Sequence, residues 1–180
     1  TQQTKNKTKE TLEKIQGASY VFTNKVVLDK EILSHVEGIE YIGILATGTN
    51  NVDLEYCKEQ GIVVRNVAGY STSTAAEYTL AVALNLTHKI QQYDHYVKSK
   101  QYSASGMFTA VSPTFYELEG KKWGIIGLGA IGRKVAELVS AFGCKVQYYS
   151  PSGNKQDVPY EFVDFETLLK TSDVISIHAP

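Results

Sequence analysis

The sequence predicts an α/β protein in which parallel strands recur in two successive units. Three patterns carry that prediction. Short apolar runs alternate with aspartate-started helical stretches before Gly69, an alanine- and leucine-rich helical run follows, and a second strand–turn–helix series opens at Lys122. Strands that alternate with helices pair in parallel, because the helix provides a crossover that a tight hairpin cannot.

Taken in order, Lys5, Lys7 and Lys9 are spaced by polar residues and followed by Glu10, which reads as a solvated segment. Ala18-Ser19-Tyr20-Val21-Phe22 reads as a buried strand, and Asp29 is placed to cap a helix through about His35 with Ile32, Leu33 and Val36 inward. Tyr41 to Leu45 forms a second strand, Asp53 caps a helix that Gly61 stops, and Ile62-Val63-Val64 is a third strand. Beyond Gly69, Thr74-Ala75-Ala76-Glu77 has the form of a capping box, in which hydroxyl and carboxylate satisfy helix-end N–H groups reciprocally. The helix behind it is expected to run to Val97, and residues 98–114 show no clear period. From Lys122 the chain reads strand, glycine turn, then a helix with Ile131, Val135, Leu138, Val139 and Phe142 on one face. Lys145 to Tyr149 is the next strand, Asp164 starts a helix with Leu168 and Leu169 inside, and Val174 to Ile177 is read as the third strand of this unit.

The 180 residues are 43% hydrophobic and 21% charged with a formal net charge of −1, which suits a globular chain with apolar mass for one or two cores. Near-neutrality gives no electrostatic reason to expect nucleic acid or a membrane as partner. Leu80 to Leu84 is the longest relevant apolar run, too short to span a bilayer, and no signal peptide is apparent. Cys57 and Cys144 have no partners at metal-ligand spacing, so a cytoplasmic setting, no metal and two packing thiols are expected.

Gly127-Leu128-Gly129-Ala130-Ile131-Gly132 follows an apolar strand and opens an amphipathic helix, the context that gives this spacing meaning as a dinucleotide turn. Gly127 allows the tight turn, Gly129 lets a pyrophosphate approach the backbone, and Gly132 lets helix and strand pack closely. The phosphate charge then meets free N–H groups at the helix start, around Ala130 and Ile131. The second half of that fingerprint departs from rule. An acidic residue about 20 positions on would hold the ribose hydroxyls, yet the strand tip carries Ser150, followed by Pro151-Ser152-Gly153-Asn154-Lys155. No carboxylate is there to repel a 2′-phosphate, and Ser150, Ser152 and Lys155 are available to hold one. The reading therefore leans to NADP with NAD kept open, against the alternative that these residues serve only turn geometry.

Four stretches together resemble the D-isomer-specific 2-hydroxyacid dehydrogenase family, nearest to its glycerate dehydrogenase and hydroxypyruvate reductase members. They are Ala46 to Asp53, Asn66 to Glu77, Trp123 to Gly132 and Ser172 to Pro180. The resemblance implies the first half of a Rossmann-type dinucleotide-binding domain plus an incomplete, flavodoxin-like substrate domain, with a cleft between. Residues 1–73 would be part of the substrate domain, 74–97 a linking helix, and 98–180 the N-terminal half of the dinucleotide-binding domain. It also implies that Thr47 and Gly48 offer backbone N–H groups to the substrate carboxylate. Thr74 would contact the nicotinamide side of the cofactor, although a capping threonine needs no further role. His178, Ala179 and Pro180 would border the nicotinamide ribose, with His178 not the proton donor.

The activity implied is hydride transfer between NAD(P)H and a small 2-keto or 2-hydroxy acid, with hydroxypyruvate or glyoxylate as the first expectation. A histidine near neutrality suits the proton transfer and an arginine fork suits a carboxylate. Arg65 and Arg133 match neither role, and the resemblance puts the catalytic arginine, glutamate and histidine beyond Pro180, so no catalytic residue is assigned and the chain is expected to be a fragment. A homodimer is implied, with the long helix and Lys98 to Glu119 as contact surfaces. Two alternatives remain: a dinucleotide-sensing regulatory module of the same fold without catalysis, and a different Rossmann enzyme acting on formate or another small anion.

Overall fold

The computed structural model describes residues 2–179, with side chains described from residue 8 onward. The chain divides into two compact units, Thr1–Tyr70 and Ser71–Pro180.

The first unit holds α1 (Gln2–Ile15), β1 (Tyr20–Thr23), α2 (Lys30–Leu33), β2 (Tyr41–Ile44), α3 (Leu54–Glu59) and β3 (Val63–Asn66). Its described strands form one parallel sheet in the order β1-β2-β3, with Val21 opposite Ile42 and Ile42 opposite Val64. Side chains alternate across the sheet. Val21, Ile42 and Ile44 are buried with Leu28, Ile32, Leu33 and Cys57, and each such fully buried aliphatic contributes about 1.5–3 kcal/mol. Tyr20 and Phe22 face the other way and are exposed. The segment read as merely solvated is a helix: Leu12 and Ile15, three apart, pack on this core, while Lys9–Glu13 and Lys14–Glu10 pair on the wet side.

The second unit holds α4 (Thr72–Thr87), α5 (Ile90–Lys98), α6 (Gln101–Ser105), β4 (Lys122–Ile126), α7 (Ala130–Ala141), β5 (Lys145–Tyr149), β6 (Glu161–Phe162), α8 (Phe165–Thr171) and β7 (Val174–Ile177). Its described strands are all parallel, in the order β6-β5-β4-β7. The strand at Val174–Ile177 is thus the fourth of the unit rather than the third, because the two-residue β6 is too short to show an alternating pattern. The chain runs outward from β4 through β5 to β6, then returns to pair β7 on the opposite side of β4. That reversal makes a topological switch point at the C-terminal ends of β4 and β7. Trp123, Ile125, Val135, Val139, Tyr148 and Leu168 are buried, and the Trp123 Nε1–H donates to Ser176 Oγ at 2.9 Å inside the core.

Several local expectations change. The capping box at Thr74 does not form: the helix starts earlier, at Thr72, with the Ala75 N–H bonded to the Ser71 carbonyl, so Thr74 lies inside its first turn. The helix expected through Val97 breaks at Lys89, which is left-handed with φ 55°. The Thr87 carbonyl, which a continuing helix would use, accepts instead from the Tyr116 N–H at 3.0 Å, and the His88 ring stacks on Phe115. That distant bond leaves no local sequence trace. Phe142 follows the last turn of α7 and is 46% exposed, and Leu169 is 47% exposed, so neither is a core residue.

Candidate functional site

β4 delivers the chain to the glycine turn at the switch point. Gly127 has φ +90°, and a Cβ there would lie 2.9 Å from His178 and Ala179 backbone atoms, so both the turn and the neighbouring chain exclude a side chain. At Gly132 a Cβ would come within 2.3 Å of the Gly127 carbonyl oxygen, which is the close approach of helix to strand. Gly129 is different. Its backbone is ordinary, φ −77° and ψ −162°, and a Cβ would meet no described atom within 4 Å. The protein itself does not require glycine there; the space over the turn is what glycine preserves.

Gly129 is also the N-cap of α7, and with no side chain it caps nothing. The N–H groups of the first helical turn, from Ala130 through Gly132, have no carbonyl a full turn behind them within the helix. Arg133 N–H makes the first such bond, to the Gly129 carbonyl at 2.9 Å. Such donors, facing the open space at Gly129 and at the positive end of a helix dipole, suit a phosphate group.

The residues read as cofactor contacts fall around this turn to different degrees. The Gly127 N–H donates to the Tyr149 carbonyl at 2.9 Å, which ties the turn to the tip of β5 and to Ser150 beyond it. Ser150 is buried, its Oγ 3.0 Å from Ser152 Oγ, and Gly153 closes a turn onto the Ser150 carbonyl; Lys155 is exposed. His178 follows β7, with its N–H on the Ile126 carbonyl at 2.8 Å. Its Nε2 is buried without a hydrogen-bond partner among the described residues, and that burial holds the imidazole pKa below its ordinary value. Ala179 lies against Gly127, Thr74 is exposed on α4, and Pro180 lies outside the described residues.

Gln156 escaped the sequence reading, and Arg133 was weighed there only for the catalytic role it does not match. Gln156 donates from Nε2 to the Leu128 carbonyl in the glycine turn at 3.0 Å, and its Oε1 accepts from Arg133 Nη2. Neither belongs to a spacing rule, and only the folded loop brings them together.

In the first unit, Thr47 and Gly48 follow β2 and are exposed. The Asn66 side-chain amide donates to the Thr47 carbonyl at 2.6 Å, and the Val52 N–H to the Thr49 carbonyl, which fix the loop. Gly48 lines an open cavity of about 440 Å³ with Asn24, Lys25, Ala46, Asn50 and Asn51. Lys25 brings a cation to the cavity that Gly48 also lines, a combination suited to a carboxylate. It was not foreseen, since it comes from the turn after β1, more than twenty positions away. Among the described residues no group of acidic, histidine or cysteine side chains could hold a metal.

Residues 80–180 match the D-isomer specific 2-hydroxyacid dehydrogenase family, NAD binding domain. The chain belongs to this family. The hydroxypyruvate reductase of Blautia hydrogenotrophica is 32% identical over 95% of this chain and 54% of its own length. Among solved structures, D-lactate dehydrogenase from Aquifex aeolicus, complexed with NAD and lactic acid, is 30% identical with a TM-score of 0.78, covering 94% of this chain and 50% of that one. An acyclic imino acid reductase in complex with NADPH and D-arginine is 28% identical with a TM-score of 0.80, covering 96% and 54%. The chain spans about half the length of the curated relatives it matches. In this D-2-hydroxyacid dehydrogenase family member, the parallel order β6-β5-β4-β7 is the Rossmann arrangement expected from the sequence.

Proposed function

We propose that the full-length protein is an NAD(P)-dependent D-2-hydroxyacid dehydrogenase acting on a small 2-keto or 2-hydroxy acid, hydroxypyruvate or glyoxylate first. The observation that carries this is Gly129: a helix N-terminus left uncapped, where a side chain would meet no described atom within 4 Å. The second unit is the portion that binds the dinucleotide and the first is part of the substrate domain, the helix expected as the link at 74–97 lying within the second unit. Gly127, Gly129, Ala130, Ile131 and Gly132 hold the pyrophosphate; Ser150, Ser152 and Lys155 hold the adenosine end, with NADP favoured. His178 and Ala179 border the nicotinamide ribose, and Thr74 the nicotinamide side.

Bound there, the dinucleotide supplies the hydride. The residues of this chain orient and exclude water rather than move a proton: Thr47 and Gly48 N–H groups, with Lys25 on the cavity that Gly48 lines, neutralise the substrate carboxylate. The set assigned here contains no proton donor, and the arginine, glutamate and histidine that act on the carbonyl are expected outside these residues. Both thiols are buried and free, and burial raises their pKa, which suits a reducing, cytoplasmic setting. Among the described residues no helix is long and apolar enough to cross a membrane. A homodimer is supported by the exposed apolar side chains of Val97, Phe108 and Val111, the last two 97% and 82% exposed; sedimentation as a monomer at micromolar concentration would remove it.

The test is oxidation of NADPH and NADH by the full-length protein with hydroxypyruvate, glyoxylate, pyruvate or an acyclic imino acid formed in place, and, separately, reduction of NADP+ and NAD+ with formate. Turnover with hydroxypyruvate or glyoxylate is expected. Dinucleotide binding without turnover of any of them would replace the enzyme by a dinucleotide-sensing module.

A further inference from the structure

The residues after β5 end in a knot of bonds centred on one side chain. The hydrogen bonds of Ser150, Ser152 and Gly153 close within their own turn. Gln156 attaches that turn elsewhere. Its N–H donates to Tyr148 Oη at 2.8 Å, its Nε2 to the Leu128 carbonyl at 3.0 Å, and its Oε1 receives Arg133 Nη2. Three elements are thereby joined: β5, the glycine turn and the first turns of α7.

The chemistry of that amide is specific. Its orientation is fixed, since exchanging oxygen and nitrogen would set an NH₂ against a guanidinium and an oxygen against a carbonyl. A glutamate would hold Arg133 equally well but would neutralise it and lose the donor to Leu128. Glutamine positions the guanidinium and leaves its full charge, with most of its five N–H donors uncommitted. Residues 150–156 themselves include no carboxylate, and Lys155 adds a second cation.

We propose that Gln156 is the positioning residue for the adenosine end of the dinucleotide, and that Arg133, held by it, is the specificity-determining contact for an adenosine 2′-phosphate. This rests on the glycine turn binding a dinucleotide. A guanidinium matches two phosphate oxygens with parallel N–H bonds, and a ribose hydroxyl offers it no such partner. Arg133 therefore discriminates between NADPH and NADH, whereas the glycine turn binds both.

The experiment is calorimetric titration of the protein, unaltered and as Arg133→Ala and Gln156→Glu, with NADPH, NADH and 2′,5′-ADP, each variant's melting midpoint being recorded. Arg133→Ala should weaken NADPH and 2′,5′-ADP by about tenfold and NADH by less than about twofold. Gln156→Glu should lower the NADPH-to-NADH affinity ratio in the same direction, and because a ratio is read within one variant, a loss of folded protein cancels. Amide exchange of the nucleotide-free Gln156→Ala protein should speed up across residues 150–155. Equal loss for both dinucleotides, an unchanged ratio in Gln156→Glu, or unchanged exchange overturns the proposal while the dinucleotide site stands. Unaltered protein that binds NADH but neither NADPH nor 2′,5′-ADP overturns it as well. Failure of the unaltered protein to bind either dinucleotide removes the site itself, and this inference with it.

Discussion

The helices α2, α3 and α8 each begin at an aspartate, and α7 begins at a glycine. Asp29, Asp53 and Asp164 accept the backbone N–H of Ile32, Tyr56 and Thr167, each at 2.9 Å, so those three helix starts are closed by the protein's own carboxylates. Gly129 has nearly the same backbone angles as Asp29 and Asp164. An aspartate would fit there without strain, and it would cap the helix as the others are capped. All four are strand-to-helix connections in parallel sheets, where a helix N-terminus arrives at the C-terminal edge. The difference teaches which of these helix N-termini is kept for a phosphate: a self-capped helix has bonded one of its end N–H groups to its own aspartate and placed a negative charge in front of the rest, while α7 has done neither.

The sharpest way to break the contrast is to convert α7 to the other kind. Gly129→Asp should lower affinity for NADPH and NADH alike by at least about a hundredfold, roughly 2.7 kcal/mol, as a carboxylate displaces the pyrophosphate. The melting midpoint of the nucleotide-free protein should hold or rise, because aspartate exceeds glycine as a cap by a few tenths of a kcal/mol, roughly. Retained binding in a well-folded variant would show that the pyrophosphate does not sit at this helix. Gly132→Ala tests the other side of the turn. Its Cβ would press on the Gly127 carbonyl oxygen, and overpacking of that kind costs about 1–3 kcal/mol. Here stability and binding should fall together, measured by chemical denaturation and titration, whereas Gly129→Asp separates them.

Much of this contrast was legible before folding was known. Asp29, Asp53 and Asp164 announce helix starts because a short acidic side chain in front of an apolar period has a local job. The glycine spacing from Gly127 to Gly132 announces a turn because each glycine answers a local steric demand. What stayed hidden depends on residues far apart in the chain. The break at Lys89 is set by a bond from Tyr116, and β6 is defined by its pairing beside β5 rather than by its two residues. The bridge from Arg133 through Gln156 to Leu128, and the meeting of Lys25 and Gly48 on one cavity, likewise exist only once loops are closed. Thr74 shows the converse, a capping pattern that the chain bypasses by starting the helix earlier.

A smaller effect comes from the self-capped side. Asp53→Ala should cost about 1 kcal/mol, the usual worth of an N-cap, read as a lower denaturation midpoint for the unit that contains it. NADPH affinity should not change, since the cap serves its own helix only. A matching loss of affinity would mean that the Asp53 loop contributes to the dinucleotide site after all, and the division between closed and open helix starts would lose its functional meaning.

The smallest effect lies at His178, where β7 passes the glycine turn. Burial disfavours its imidazolium, so the folded protein takes up this proton at a lower pH than the unfolded chain, whose histidine titrates near 6.5. Between those two pH values the unfolded state binds more protons, so stability rises with pH there and is level above about 6.5. Acidification through that window should therefore lower the melting midpoint of the unaltered protein more than that of His178→Asn, the difference between the two removing the contribution of other groups. If the unpaired Nε2 accepts a hydrogen bond from the bound dinucleotide, the neutral ring is favoured further, and with saturating NADPH the difference should extend to lower pH. The same difference with and without NADPH would place His178 outside the site that the open helix start of α7 defines.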